Sequence, residues 1–363
     1  MSDVATAVVL EGPRRLTIRD LPLPEVGQDD GVLRIEACGL CGTDHELYTG
    51  ALAVGVPIVP GHEVVGVVET IGPRAAEHWS VSVGDRVAVE VFQSCGSCLA
   101  CRAGDSRHCK RHGLGDSYGF VPVDRAPGLW GGYATHLYLA PDAALHHVPP
   151  ALDPAVATAF NPLGAGICWA VTLPALQPGA VVAVLGPGIR GLCCAAAAKE
   201  AGAAFVMVTG RGAQDESRLG LAARFGADLA VDVEATDSIH ALRDATGGLA
   251  DVVVDVTAKA PDAFAQALAL ARPGGTIVIA GTRGSDATPG FRPDLIPLKE
   301  LRILGVLGVD SAAYAAALAL LDSGRFPFAD LPRRTEPLAG LDDLLATMAG
   351  ERDVPPVHAV LVP

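Results

Sequence analysis

Between Ala180 and Leu307 the apolar positions gather into six short runs rich in β-branched residues: Val181 to Leu185, Phe205 to Thr209, Leu229 to Val233, Asp251 to Val256, Thr276 to Ala280 and Arg302 to Leu307. Ala-rich stretches of helical spacing separate them. Near-continuous apolar strands alternating with helices are the signature of a parallel sheet covered on both faces, because parallel neighbours need crossover connections. The pattern predicts a doubly wound α/β domain with a six-stranded parallel sheet. The first 150 residues read differently, with Gly- and Pro-punctuated strands at Gly31 to Ala37, Glu63 to Ile71, Gly84 to Val91 and Tyr133 to Leu139 and few helical periods. That half predicts a compact, mostly β unit. After Leu307 an Ala/Leu helix (Ser311 to Ser323) and an apolar strand (His358 to Val362) are placed to return to it. The resulting division is 1–160 with 300–363 for the β-rich part and 161–299 for the doubly wound part.

Composition narrows the class. At 363 residues the chain has room for two domains, and with half its residues apolar and 19% charged it buries enough surface to fold. The 27 basic and 41 acidic residues sum to −14, which repels phosphate backbones and argues against nucleic-acid or anionic-membrane partners. Small molecules are the expected partners. The longest apolar run, from Ala180, is cut by Gly186, Pro187, Arg190, Lys199 and Glu200, so no membrane span is expected. The N-terminus carries Asp3 before a short apolar stretch and no basic leader, which gives a cytoplasmic expectation. Nine cysteines are then expected to be reduced, and close spacings among them point to metal or thiol chemistry.

Cys95, Cys98, Cys101 and Cys109 stand at C-x2-C-x2-C-x7-C, with Gly96 and Gly104 supplying turns that fold a short loop (about 93–112) back on one point. Tetrahedral sulfur selects zinc or an iron–sulfur cluster, and four protein ligands leave no open position, which makes a zinc here structural. The ferredoxin ending, x3-C-P, is missing. Arg102, Arg107, Lys110 and Arg111 nearby offer a nucleic-acid module as a rival, which the overall charge opposes.

Val181 to Leu185 runs into Gly186-Pro187-Gly188-Ile189-Arg190-Gly191 and then an Ala-rich helix. A G-x-G-x-x-G between a strand and a helix allows a tight turn and close backbone approach, while the helix N-terminus stabilises a pyrophosphate. Arg190 adds a cation beside it. Cofactor choice is read at the end of the second strand, where an acid would bind the ribose hydroxyls of NAD. Here Gly210 stands in that place and Arg211 follows, which predicts NADP over NAD, with Asp215 and Glu216 as opposing charges.

Cys41, in Cys41-Gly42-Thr43-Asp44-His45-Glu46, and His62, in Gly61-His62-Glu63, form a second, incomplete constellation of the open, catalytic kind. Together with Gly66, Gly72, Gly84-Asp85-Arg86-Val87, Gly131-Gly132-Tyr133-Ala134, the four-cysteine lobe and the dinucleotide loop, these residues make the chain resemble the zinc-containing alcohol dehydrogenases of the medium-chain dehydrogenase/reductase superfamily over essentially its whole length. The resemblance implies a GroES-like catalytic domain beside a Rossmann domain, with the reaction in the cleft between them. It implies that Cys41 and His62 bind a catalytic zinc, that Thr43 takes the substrate proton, and that Asp44 and Glu63 are carboxylates behind the ligands. The family's third ligand, Cys or Glu, falls at Asn161, a neutral and weaker donor, so Glu63 is the favoured third ligand here. Glu46 stands where many members have a relay histidine, with His45 one place earlier.

The leading expectation is therefore hydride transfer between an alcohol (a secondary alcohol or polyol, or the matching ketone or aldehyde) and NADP or NAD, assisted by zinc. The alternatives are a zinc-independent NADPH-dependent reductase of the same superfamily retaining only the structural zinc, and a non-enzymatic redox or metal sensor. The sixth strand, paired across a two-fold axis as the resemblance suggests, would make a homodimer or homotetramer. Cys38, Cys168, Cys193 and Cys194 read as packing residues, and His146 and His147 as a surface loop before Pro149-Pro150.

Overall fold

In the computed structural model, which describes residues 4–52, 54–258, 260–282 and 288–363, each of the six apolar runs forms a strand. They are Val181–Leu185, Phe205–Gly210, Leu229–Asp232, Ala250–Asp255, Ala271–Ile279 and Arg302–Gly305, all parallel. Numbered in that order they lie 3-2-1-4-5-6 across the sheet. The reversal of order at the first strand is a topological switch point, where ligands bind beyond the strand C-termini. Helices Ile189–Glu200, Gly212–Ala222, Ser238–Thr246 and Ala263–Leu270 supply crossovers. Val182, Ala183, Val184 and Leu185 have no exposed surface, as a strand covered on both faces requires. These elements belong to one compact unit, Pro162–Val309 with Arg325–Pro327.

The other unit comprises Met1–Asn161, Asp310–Gly324 and Phe328–Pro363. Its main sheet runs Arg333–Glu336, His358–Leu361, Gly31–Leu40, Glu63–Ile71, Arg86–Val89 and Leu145–His147, with His136–Leu139 pairing Gly31–Leu40 off that path. Its core packs Leu33, Ile35, Val64, Val68, Val87, Tyr133 and Leu137 with Leu341, Leu344 and Leu345 from the helix Leu341–Met348. The chain end joins the first half through an antiparallel ladder in which Ala359 faces Leu40.

The structure corrects one sequence reading and adds to two others. His146 and His147 lie in a strand paired with Val87–Val89 and not in a loop, with His147 exposed as expected and His146 half-buried. His146 Nε2 is 2.8 Å from Oε1 of Glu90, a carboxylate only 1% exposed. The extended backbone suits the approach to Pro149, and the buried acid supplies the partner that local sequence does not show. The β-rich half also holds a two-turn helix, Gly42–Thr49, which its weak apolar periodicity concealed. Finally, the helical stretch Pro154–Thr172 is the one among the described residues long and apolar enough to cross a membrane, and 78% of its window is buried inside the protein. Its apolar surface is taken up by packing.

One buried histidine ties stability to pH. His358 is 1% exposed, its Nε2 is 3.2 Å from Thr158 Oγ1, and Arg333 Nε donates to its Nδ1. Burial, followed by the repulsion of the Arg333 guanidinium, pushes its pKa down to about 3 from 6.5. The folded value is depressed, so between 6.5 and about 3 the unfolded chain binds the extra proton and stability falls as pH falls. The slope reaches about 1.4 kcal/mol per pH unit from this group. Thermal unfolding of His358→Gln across that window is expected to show a slope smaller by about one proton; an unaltered slope would refute the assignment.

Candidate active site

Strand register brings the first cluster together. Gly39, near the end of Gly31–Leu40, lies opposite Glu63, the first residue of Glu63–Ile71. The residue just beyond one strand, Cys41, therefore meets the residue just before the other, His62. Cys41 Sγ is 3.2 Å from His62 Nε2, and one ligand atom from each of Cys41, His62 and Glu63 lies within 4.8 Å of the others. A Cβ at position 39 would sit 2.3 Å from Glu63 Oε2, so a side chain there would displace the Glu63 carboxylate.

Cys41 is also the N-cap of the helix Gly42–Thr49. Asp44, in its first turn, accepts the Cys41 N–H through Oδ2 at 2.9 Å and turns Oδ1 toward His62 Nδ1 at 3.8 Å. A carboxylate behind a histidine fixes the ring orientation and raises its basicity as a ligand. Asp44 Oδ1, His62 Nδ1 and Tyr133 OH are buried without a hydrogen-bond partner among the described residues. Burial, then the charge of Asp44, drives the Tyr133 phenol well above its ordinary pKa. Thr43 is half-buried on the same helix, as are His45 and Glu46, whose carbonyls accept from Thr49 Oγ1.

The donor set fits a divalent cation. Asp44, Glu63 and Cys41 are 2%, 1% and 4% exposed, and such a concentration of acidic groups away from water calls for a compensating charge. A thiolate, an imidazole and a carboxylate are the N, S and O ligands that zinc takes at catalytic sites with an open position. Asn161, in the helix Phe160–Ile167, is 3% exposed and its Nδ2 donates to Tyr314 OH at 3.2 Å.

The second cluster is the lobe. One sulfur from each of Cys95, Cys98, Cys101 and Cys109 lies within 4.8 Å of the others, and Cys95 and Cys101 are 3.8 Å apart. Zn–S bonds of about 2.3 Å in a tetrahedron give a sulfur–sulfur edge of about 3.8 Å. A hydrogen bond from Ser97, then backbone N–H groups, lowers the Cys95 thiol to about 5, whereas burial raises Cys101 to about 11.

The dinucleotide loop lies in the other unit. Gly186 has φ +104°, and a Cβ on Gly191 would sit 1.8 Å from the Gly186 carbonyl oxygen, so both positions exclude side chains. Gly188 caps the helix that Ile189 and Arg190 open. The Arg190 guanidinium stacks 5.2 Å from the centre of the Trp169 ring. Gly210 ends the second strand, and Arg211 pairs with Glu234 at 2.9 Å.

Three residues escaped the sequence reading. Phe120 places its ring 5.9 Å from that of His62. Tyr314 joins Asn161 from 153 residues away, and Glu90 holds His146. Tyr133 sat within a recognised motif, but its burial beside Asp44 depends on tertiary packing.

Sequence profiles match two segments: the alcohol dehydrogenase GroES-like domain over residues 27–150, and the zinc-binding dehydrogenase domain over residues 191–323. A Mycobacterium tuberculosis protein named "Probable alcohol dehydrogenase adh" is 67% identical, with all of both chains covered. The chain belongs to the zinc-containing alcohol dehydrogenase family of the medium-chain dehydrogenase/reductase superfamily. An erythritol/L-threitol dehydrogenase of Mycolicibacterium smegmatis is 31% identical over 93% of each chain. Among solved structures, one from Sinorhizobium meliloti 1021 bound to NADP superposes over all of both chains with a TM-score of 0.83 and 28% identity. As a zinc-type alcohol dehydrogenase, the chain is an oxidoreductase with a Rossmann sheet and a GroES-like domain.

Proposed function

We propose that this alcohol dehydrogenase depends on zinc and transfers a hydride between a secondary alcohol or polyol, or the matching ketone or aldehyde, and NAD(P), with NADP favoured. The observation that carries this reading is the convergence of Cys41, His62 and Glu63 within 4.8 Å. When bound, zinc supplies a Lewis acid that lowers the pKa of an alcohol, and the nicotinamide supplies the hydride acceptor.

The chain's own residues do the rest. Cys41 and Glu63 contribute negative charge and His62 a neutral nitrogen to the metal, with Asp44 orienting His62. Asn161, held by Tyr314, is the weaker donor. The Thr43 hydroxyl, half-buried, takes the substrate proton and passes it outward past His45 and Glu46. Gly186, Gly188 and Gly191 let the backbone approach the pyrophosphate at the helix N-terminus that Ile189 and Arg190 begin. Gly210 removes an acid that would repel a 2′-phosphate, and Arg211 offers it a cation. Relatives named sorbitol and erythritol/L-threitol dehydrogenases support the polyol class.

Two measurements test the reading together: zinc per chain, and kcat/KM over a panel of polyols, secondary alcohols and carbonyl compounds with each cofactor. About two zinc ions, turnover, and a higher kcat/KM with NADP are expected. A clear NAD preference would refute the cofactor assignment. Turnover with a single zinc would mark a reductase that keeps only the lobe's metal.

A further inference from the structure

The end of the second Rossmann strand leaves little room beside Gly210. A Cβ on Gly210 would sit 2.9 Å from Pro187 Cγ of the dinucleotide loop and 3.0 Å from Asp215 Cβ and from Leu219 Cγ. A carboxylate instead stands against the two residues that follow, Arg211 and Gly212. Glu234, just beyond the third strand, lays its Oε2 only 2.3 Å from where a Cβ on Gly212 would be. Its Oε1 pairs with Arg211 Nε at 2.9 Å. The loops bearing the two partners are held together by Asp232, whose Oδ1 accepts the N–H groups of both Gly212 (2.8 Å) and Glu234 (2.9 Å). These two backbone hydrogen bonds hold the Asp232 carboxyl below its usual range, so the brace is ionised at neutral pH. A cavity of about 370 Å³ opens here, lined by Arg211, Gly212, Ala213, Gln214 and Glu234.

We propose that Glu234 is a specificity-determining residue, which restrains the preference for a 2′-phosphorylated cofactor by occupying Arg211 and standing in for the missing strand-end acid. The inference rests on the NADP reading above and deepens it. A ribose 2′-hydroxyl donates to the Glu234 carboxylate, so NAD gains an acceptor there. A 2′-phosphate meets that same carboxylate as a like charge and must draw Arg211 away from it. Both effects act in one direction: losing the charge of Glu234 removes the repulsion of a 2′-phosphate and weakens the hydrogen bond from a 2′-hydroxyl.

The test uses nucleotide halves that need neither nicotinamide nor zinc. Titration calorimetry at fixed low salt compares 2′,5′-ADP with 5′-AMP, which differ only in the 2′-phosphate, on the parent protein and on Glu234→Gln and Arg211→Gln. Glu234→Gln is expected to raise the affinity ratio of 2′,5′-ADP to 5′-AMP by about tenfold or more, and Arg211→Gln to lower it. If both nucleotides bind the parent but Glu234→Gln shifts the ratio by less than about threefold, this proposal falls and the cofactor reading stands. If neither nucleotide binds the parent, the cofactor reading itself falls, and this inference with it.

Discussion

Replacement of Cys41 by serine is expected to lower kcat/KM for alcohol oxidation by more than about a hundredfold and to reduce bound zinc from about two to about one per chain. Losing even a partner behind a metal ligand costs about 10- to 100-fold in affinity or activity, and losing the ligand itself costs more. Cys41 carries a large share because it is the sulfur of a cluster otherwise made of one imidazole and one carboxylate. Serine preserves the backbone N–H that donates to Asp44 Oδ2, so the helix Gly42–Thr49 is expected to keep its start. Thr43→Ala should divide the two roles at this corner. It is expected to lower kcat by about 10²- to 10⁴-fold, the range for a lost proton-transfer group, with zinc content unaltered. Metal analysis beside steady-state kinetics reads both variants. Full zinc and parental turnover in the Cys41 variant would sink the assignment of this cluster as the catalytic metal site.

The second large effect belongs to the lobe. Cys98→Ser is expected to remove the other zinc, lower the melting temperature by several degrees, and open residues around 93–112 to trypsin at Arg102, Lys110 and Arg111. The segment has little core of its own: Leu99 is 71% exposed, and its helix Leu99–Arg102 spans four residues. A segment of that kind is ordered by metal ligation, whose free energy becomes folding free energy. Two of the thiols are prepared for it, since Cys95 is lowered to about 5 and Cys98 also lies below its ordinary value, chiefly through the Cys101 backbone N–H. Cys95 meets a metal as a thiolate at little protonation cost, whereas Cys101, raised to about 11 by burial, must release its proton on binding. Limited proteolysis with and without a chelator, beside zinc analysis, measures the effect. A Cys98 variant that keeps both metals and resists trypsin would overturn the structural role of the lobe.

How far the sequence could be read depended on how local each feature was. The four cysteines lie within fifteen residues and the glycine loop within six, so their chemistry was legible as spacing. Cys41 and His62 are twenty-one residues apart, and their meeting rests on the Gly39–Glu63 pairing, which strand patterns alone do not specify. Glu63 as third ligand was argued from charge, and the structure places its carboxylate in the cluster. His146 was misplaced because a polar pair before two prolines resembles a loop when the buried Glu90, 56 positions back, is out of view.

The strand and helix periods and turn glycines determined the architecture from the sequence by itself, and the close cysteine spacings the metal character of the lobe, since each is enforced by backbone geometry within a few residues, whereas the reaction was implied by the family resemblance. Which carboxylate joins Cys41 and His62, which tyrosine holds Asn161, and how Glu234 comes to face Arg211 were decided only when distant segments packed. Those choices depend on ladder register and on side-chain volumes meeting across tens to hundreds of residues, for which no local period exists.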